Sequence, residues 1–306
     1  MSIQYLTYQQ INKVKWDACI DKADNGVVYA YSFYLDCMAV NWDALVISSG
    51  NEYEMVMPLT WNKKYGIYYL YQPPFTACLG VFGKQVTALQ LQNFLDAIPK
   101  KFRYWDIYLN PGNYFQLSSF DLYQRMNFVL PLHESYAEIF SRYRENIQRN
   151  IKKSHQLQIA IRQNINAGEV ISLANEQLQH FSKITAATML NFESLFSMLS
   201  KSGKAITYGA YNAAGQLMAS AIFFFSHKRA YYILPGNSPD GKTLGASHAL
   251  IDAFIKDHAQ RDLLLDFEGS DVSSLAFFYS SFGAIEEKYP GLRINMLPPL
   301  LKWLKK

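Results

Sequence analysis

The stretch Gly236-Asn237-Ser238-Pro239-Asp240-Gly241-Lys242-Thr243-Leu244-Gly245-Ala246-Ser247 holds two overlapping patterns, and the choice between them decides the fold. The first, from Gly236 to Thr243, matches GxxxxGK[ST], the phosphate loop of nucleotide hydrolases. It follows a strand-like run at residues 229–234 and precedes a helical one at 244–258. Leu263-Leu264-Leu265-Asp266 even imitates the acidic strand such enzymes need. The surroundings reject the match. The runs ahead of the loop form an antiparallel meander, whereas phosphate-loop folds require parallel strands joined by crossover helices. About 60 residues follow the loop, too few for the rest of such a fold. The physics of the string survives the rejection, because a glycine-rich turn opening a helix offers unpaired N–H groups and a positive dipole end to any phosphate. An ordinary strand-to-helix turn is the plain alternative.

Working outward, the runs on either side form a plan that occurs twice. Residues 205–211 and 216–225 flank Asn212-Ala213-Ala214-Gly215, a hairpin signal. A strand at 229–234, a helix at 244–258 with Leu250, Ile251, Phe254 and Ile255 on one face, a short buried strand at 263–267, a helix at 273–282 and a last strand at 284–289 complete it. In the first half, runs at 44–48 and 53–59 flank Ser49-Gly50-Asn51. Strands at 67–71 and 77–81, a helix at 86–98 stopped by Pro99, a strand at 104–109 and a closing strand at 128–132 follow. Hairpin, strand, helix, buried strand, helix and strand in each half predict a duplicated α/β fold of the α+β type, with mixed, mostly antiparallel sheets flanked by helices. The expected domains are 1–135 and 204–306, with a helical connection at 136–203. Within it, residues 136–156 read as one basic helix and 168–200 as two more.

Composition agrees with two domains. The 306 residues are 50% hydrophobic and 15% aromatic, at a soft prior of about 150 residues per domain. A net charge of +4 does not describe a nucleic-acid coat, so basic function has to be local. Cys19, Cys37 and Cys78 have no CxxC spacing and read as free thiols of a reducing compartment. The N-terminus lacks an apolar signal core, and no apolar stretch approaches the roughly 20 residues a membrane span needs. The expected location is the cytoplasm. The six histidines show no HxxxH or HExxH spacing, so no metal is expected. Peripheral contact with a membrane is one reading of the tail Leu300-Leu301-Lys302-Trp303-Leu304-Lys305-Lys306, and packing of its apolar side on the domain is the other.

The second pattern, Lys242-Thr243-Leu244-Gly245-Ala246-Ser247, resembles the R/Q-x-x-G-x-G/A loop with which acyltransferases of the GNAT superfamily hold the pyrophosphate of coenzyme A. Further strings resemble the FemABX-like branch of that superfamily, which includes peptidyltransferases adding amino acids to peptidoglycan precursors. These are Tyr143–Lys153, Leu265-Asp266-Phe267-Glu268-Gly269-Ser270, Phe278-Tyr279-Ser280-Ser281-Phe282-Gly283, Met57-Pro58-Leu59, Tyr71-Gln72-Pro73-Pro74 and Leu79-Gly80-Val81. The resemblance covers most of the chain and implies two GNAT-like domains in tandem. It implies an acyltransferase that moves an acyl or aminoacyl group from an acyl-CoA donor, with aminoacyl-tRNA as the alternative, to an amine. The acceptor implied is a small molecule or lipid-linked cell-envelope precursor. Members that use aminoacyl-tRNA tend to carry Phe-Lys-x-x-Phe-Gly where this chain has Phe278-Tyr279-Ser280-Ser281-Phe282-Gly283. Tyr279 brings a hydrogen-bond donor but no charge, and this favours CoA over tRNA.

The donor-binding candidates are therefore Gly241, Lys242, Gly245, Ala246 and Ser247. For the chemistry, Glu268 at the end of a buried strand is the candidate base, with Ser270 and Tyr279 as donors to the carbonyl or leaving group. A carboxylate capping the following helix is the other reading of Glu268. Arg142, Arg149 and Lys153, spaced seven and four apart, read either as a solvated helix face or as a phosphate-facing wall for the acceptor. A non-catalytic protein binding a phosphorylated partner on the same scaffold is the competing function.

Overall fold

The computed structural model describes residues 2–178, 184–269 and 271–298. The chain divides into two units, one running to Arg125 and resuming at Lys288, the other spanning Met126–Glu287.

In the first unit, strands β1 (Gln4–Leu6), β2 (Asn41–Ser49), β3 (Glu52–Lys64), β4 (Ile67–Tyr71) and β6 (Phe102–Tyr108) lie side by side in that order. The short β5 (Phe82–Gly83) pairs with β3. All pairs are antiparallel except β4 with β6. The β2–β3 hairpin turns at Gly50, whose φ of +59° suits a residue without a Cβ. Helices α1 (Lys13–Lys22), α2 (Ser32–Met38) and α3 (Ala88–Asp96) accompany the sheet. A capping box between Thr87 and Gln90 starts α3, and its buried residues Leu91, Phe94 and Leu95 join a core with Met57, Leu59, Phe102 and Trp105.

The second unit repeats the plan with β8 (Ala160–Gln163), β9 (Ala205–Tyr211), β10 (Leu217–Ser226), β11 (Arg229–Asn237) and β12 (Leu264–Asp266), again with one parallel pair, β11 with β12. Asn212 builds the β9–β10 turn, its Oδ1 accepting the N–H groups of Ala214 and Gln216. Helix α9 (Ala246–His258) packs on β9 and β10, with the Phe254 ring stacked 3.8 Å from that of Phe223. The other helices are α4 (Tyr136–Ser141), α5 (Glu145–Gln156), α6 (Ala167–Leu178), α7 (Ala186–Lys201), α8 (Pro239–Leu244) and α10 (Ser273–Ser280). No helix among the described residues is long and apolar enough to cross a membrane.

Three expectations are corrected. The basic run at 136–156 is two helices, because Arg142 ends α4, Tyr143 is buried and Arg144 begins α5 in an extended conformation. Residues 77–81 make only one bridge, Leu79 to Leu109, with β5 following. The closing strands are exchanged. β7 (Tyr123–Pro131), read as the end of the first half, pairs through Val129–Pro131 with β12 of the second unit. β13 (Ile285–Asn295) pairs through Gly291–Asn295 with β6 of the first. Alternation of apolar residues shows that a run is a strand, but carries no address for its partner.

Candidate active site

The segment from Gly236 to Ser247 is not an open loop. Gly236 and Asn237 finish β11, and Ser238 caps the six-residue α8 by accepting the Gly241 N–H. Gly241 is buried where a Cβ would meet the Met218 carbonyl oxygen at 2.1 Å, so glycine here allows helix to touch strand. Gly245 has φ +71°, ends α8 by donating its N–H to Gly241 O, and lies where a Cβ would meet the Asn150 carbonyl oxygen at 2.7 Å. Both N–H groups are thus committed within the fold. Ala246, Ser247 and His248 form the first turn of α9, which has neither a side-chain cap nor an acidic residue. Its positive end is left uncompensated locally. Lys242 is exposed one turn ahead of it, and Ser247 Oγ receives Asn237 Nδ2 at 3.3 Å.

Beside that turn the parallel strands part. β11 pairs with β12 only at Arg229–Tyr231 and continues from Tyr232 to Asn237 with no strand on that edge among the described residues. A bulge against β10 falls at Ile233, between the Ile222–Leu234 and Phe223–Tyr232 pairs. Bulges of this kind re-aim backbone groups and recur beside active sites. Opposite, β12 ends at Asp266, and Glu268 takes φ +66°, a left-handed conformation seldom held by a residue with a side chain. Glu268 therefore lies just past the end of the strand, in the turn that follows it.

Glu268 is half-buried, and desolvation of its carboxyl raises its pKa well above 4.5. From α10, Tyr279 is buried, stacks on Phe267 at 4.6 Å and has its pKa raised first by burial and then by the charge of Glu268. Tyr232 on β11 is raised by burial and by Tyr279. One carboxyl and two phenols thus lie within reach of one another, Glu268 with Tyr279 and Tyr279 with Tyr232, and both phenols hold their protons at neutral pH. Ser270, the remaining catalytic candidate, lies outside the described residues, as does the tail Leu300–Lys306.

Asp266 is occupied elsewhere. Its Oδ2 receives Arg229 Nη1 at 2.8 Å, and its Oδ1 receives both the Glu268 N–H and Asn127 Nδ2 at 2.9 Å. Arg229 also binds Glu287 through two nitrogens. The basic candidates separate: Arg142 pairs with Glu134, Lys153 donates to Thr243 O at 2.7 Å and closes the end of α8, and Arg149 is exposed on α5.

Sequence reasoning passed over Tyr232, Asn127 and His248. His248 packs against Phe278 at 5.0 Å, its Nδ1 is buried without a hydrogen-bond partner among the described residues, and burial lowers its pKa to about 4. The only local signal for it was its position directly after Ser247.

The equivalent place in the first unit is filled. Beyond the last β4–β6 pair, Tyr71 with Asp106, Leu79 forms a parallel bridge to Leu109, and its N–H donates to Tyr108 O at 2.8 Å. Asn110 binds the Leu79 carbonyl through both backbone and side chain. A void of about 10 Å³ remains between Met57, Leu59, Leu70, Leu79 and Leu109, room for about one water.

No protein-family model and no curated protein matches the chain. Among solved structures it is similar to FemX over 100% of both chains, with a TM-score of 0.66 at 12% identity. A conserved protein of unknown function from Bacteroides thetaiotaomicron covers 95% of this chain and 99% of its own, with a TM-score of 0.60 at 12% identity. A tandem GNAT protein from the clavulanic acid biosynthesis pathway covers 97% and 99%, with a TM-score of 0.54 at 11% identity. The chain thus has a FemABX-like fold of two GNAT-like domains, as the motifs implied.

Proposed function

We propose that the chain is an N-acyltransferase whose second unit moves an acyl or aminoacyl group from an acyl-CoA donor to an amine. The observation that carries this reading is the edge where β11 outruns β12, with the uncapped first turn of α9 following β11 and with Glu268, just past the end of β12, acting on Tyr279. Ala246, Ser247 and the nearby Lys242 suit the donor's phosphates, and the free edge of β11 suits its amide-bearing arm. As the amine attacks the thioester carbonyl, Glu268 takes its proton, the amide C–N bond forms, the C–S bond breaks, and CoA leaves as a thiolate that takes up a proton. Tyr279 donates to the carbonyl oxygen as charge builds on it, and a raised pKa keeps that donor protonated. A carboxyl whose pKa is raised by desolvation is, once ionised, the stronger base.

The acceptor we favour is an amine on a cell-envelope precursor, with exposed Arg149 as the cation nearest in kind to its phosphates. The filled first unit supports one donor per chain. The uncharged Tyr279, where tRNA-using relatives tend to have Lys, favours CoA over aminoacyl-tRNA.

Thermal shift with acetyl-CoA, longer acyl-CoAs, aminoacyl-tRNA and ATP with Mg²⁺ tests the donor. A ligand at 100 times its Kd should add about 2.7 kcal/mol of stability. Stabilisation by acyl-CoA is the expected result. Stabilisation by ATP alone sinks the acyltransferase reading, and stabilisation by aminoacyl-tRNA alone reassigns the donor.

A further inference from the structure

We infer that Asn127 is a positioning residue for the Glu268 carboxyl, acting through the backbone of the turn from Asp266 to Gly269; this rests on the role given to Glu268 above. Asn127 is buried on β7, and its amide is fully engaged. Its Oδ1 accepts the N–H groups of Phe128 and Gly269. Its Nδ2 donates to Asp266 Oδ1 at 2.9 Å and Glu287 Oε2 at 3.2 Å. Two carboxylates on one side and two N–H groups on the other leave the amide a single workable orientation.

The consequence falls on Glu268. Its own N–H is held by Asp266 Oδ1, and the next N–H, that of Gly269, by Asn127 Oδ1. Both peptide groups flanking the left-handed Glu268 are therefore fixed by side chains, and Asn127 ties those side chains together. A left-handed residue with a Cβ persists only where its surroundings over-determine it. Without the clamp the turn relaxes and the carboxyl leaves its desolvated place. Arg229 bridges Asp266 and Glu287 behind the amide, so the donor side of Asn127 is itself held rigid. The groups that face Glu268 or its clamp are Asp266 from β12, Tyr279 from α10 with Tyr232 from β11 behind it, and Arg229 and Glu287 beyond Asn127.

Asn127 is 142 positions from Gly269, and it reaches the second unit only because the closing strands are exchanged. No motif around Glu268 could have indicated it.

The test is Asn127→Ala in the full-length protein, read by steady-state kinetics and by carbon-13 NMR titration of the Glu268 carboxyl. Displacement of a base on this scale lowers kcat by roughly 10- to 100-fold, with both KM values within about twofold. The acid limb of the rate profile and the Glu268 titration both move down toward 4.5. Full kcat in Asn127→Ala overturns the inference, as does a lowered kcat with Glu268 titrating as in the parent. Should Asn127→Ala fail to fold by near-ultraviolet circular dichroism, Asn127→Asp decides. Its protonated form keeps an acceptor and a donor, so its turnover should approach the parent's at low pH and fall as the new carboxyl ionises; a pH-independent loss contradicts the clamp. If the parent transfers no acyl group, the functional reading fails, yet the NMR titration still tests the clamp because it needs no turnover.

Discussion

Glu268 combines two unfavourable conditions, a left-handed backbone and a desolvated carboxyl, and such strain collects at functional sites. A carboxyl whose folded pKa lies above its unfolded 4.5 contributes stability that is fully present below 4.5 and lost as pH rises through the folded value. Glu268→Gln removes the ionisation. It should therefore be more stable than the parent at pH 7, by about 1.4 kcal/mol for each unit by which the pKa is raised, while losing turnover. Melting temperatures of the two proteins across pH check this: the curves should meet near pH 4 and separate above it, and parallel curves would show that the Glu268 pKa is not raised. Tyr279→Phe keeps the stack on Phe267 and removes only the hydroxyl. Its kcat should fall about 100-fold with little change in melting temperature. Undiminished turnover would remove Tyr279 from the chemistry.

At the level of elements, the glycines of the deciding stretch hold helices against their neighbours. Gly245→Ala sets a Cβ against the Asn150 carbonyl and forces a left-handed alanine, and should cost on the order of 1–3 kcal/mol, measured by denaturant unfolding. An unchanged midpoint would mean that α5 and α8 do not meet as described. Spacing alone made Gly241 and Gly245 look like phosphate ligands, because a glycine allowing close backbone approach has the same letter whether the approaching group is a ligand or the protein itself. The repeated hairpin, strand, helix and buried strand were legible because turn residues and apolar periodicity are local signals. Of the proposed site, Glu268 and Tyr279 are singled out by the sequence, one at a strand end and one in a motif. What could not be read was anything set by remote pairing: the exchange of β7 and β13, the Arg229–Glu287 bond and the Asn127 amide. The break at Tyr143 escaped for another reason. The basic residues on both sides keep a helical spacing, and only burial of the tyrosine ring shows where the chain turns.

At the scale of the molecule, two units with one strand order have unequal prospects. In the first, Leu79 occupies the edge that β4 leaves on β6, and Gly80 permits this with φ +103°, at a point where a Cβ would meet Asn113 Oδ1 at 2.3 Å. In the second it is β11, the counterpart of β4, that runs on past β12, and its edge from Tyr232 to Asn237 carries no strand among the described residues. The account's central claim is that the open gap of the second unit receives the donor. The most direct measurement is a crystal structure of the protein soaked with an acyl-CoA. One donor per chain is expected, with its phosphates on the N–H groups of Ala246 and Ser247 and its thioester between the Tyr232–Asn237 edge and Glu268. A donor lodged between β4 and β6, or an empty β11–β12 gap in a protein that still transfers acyl groups, would contradict it.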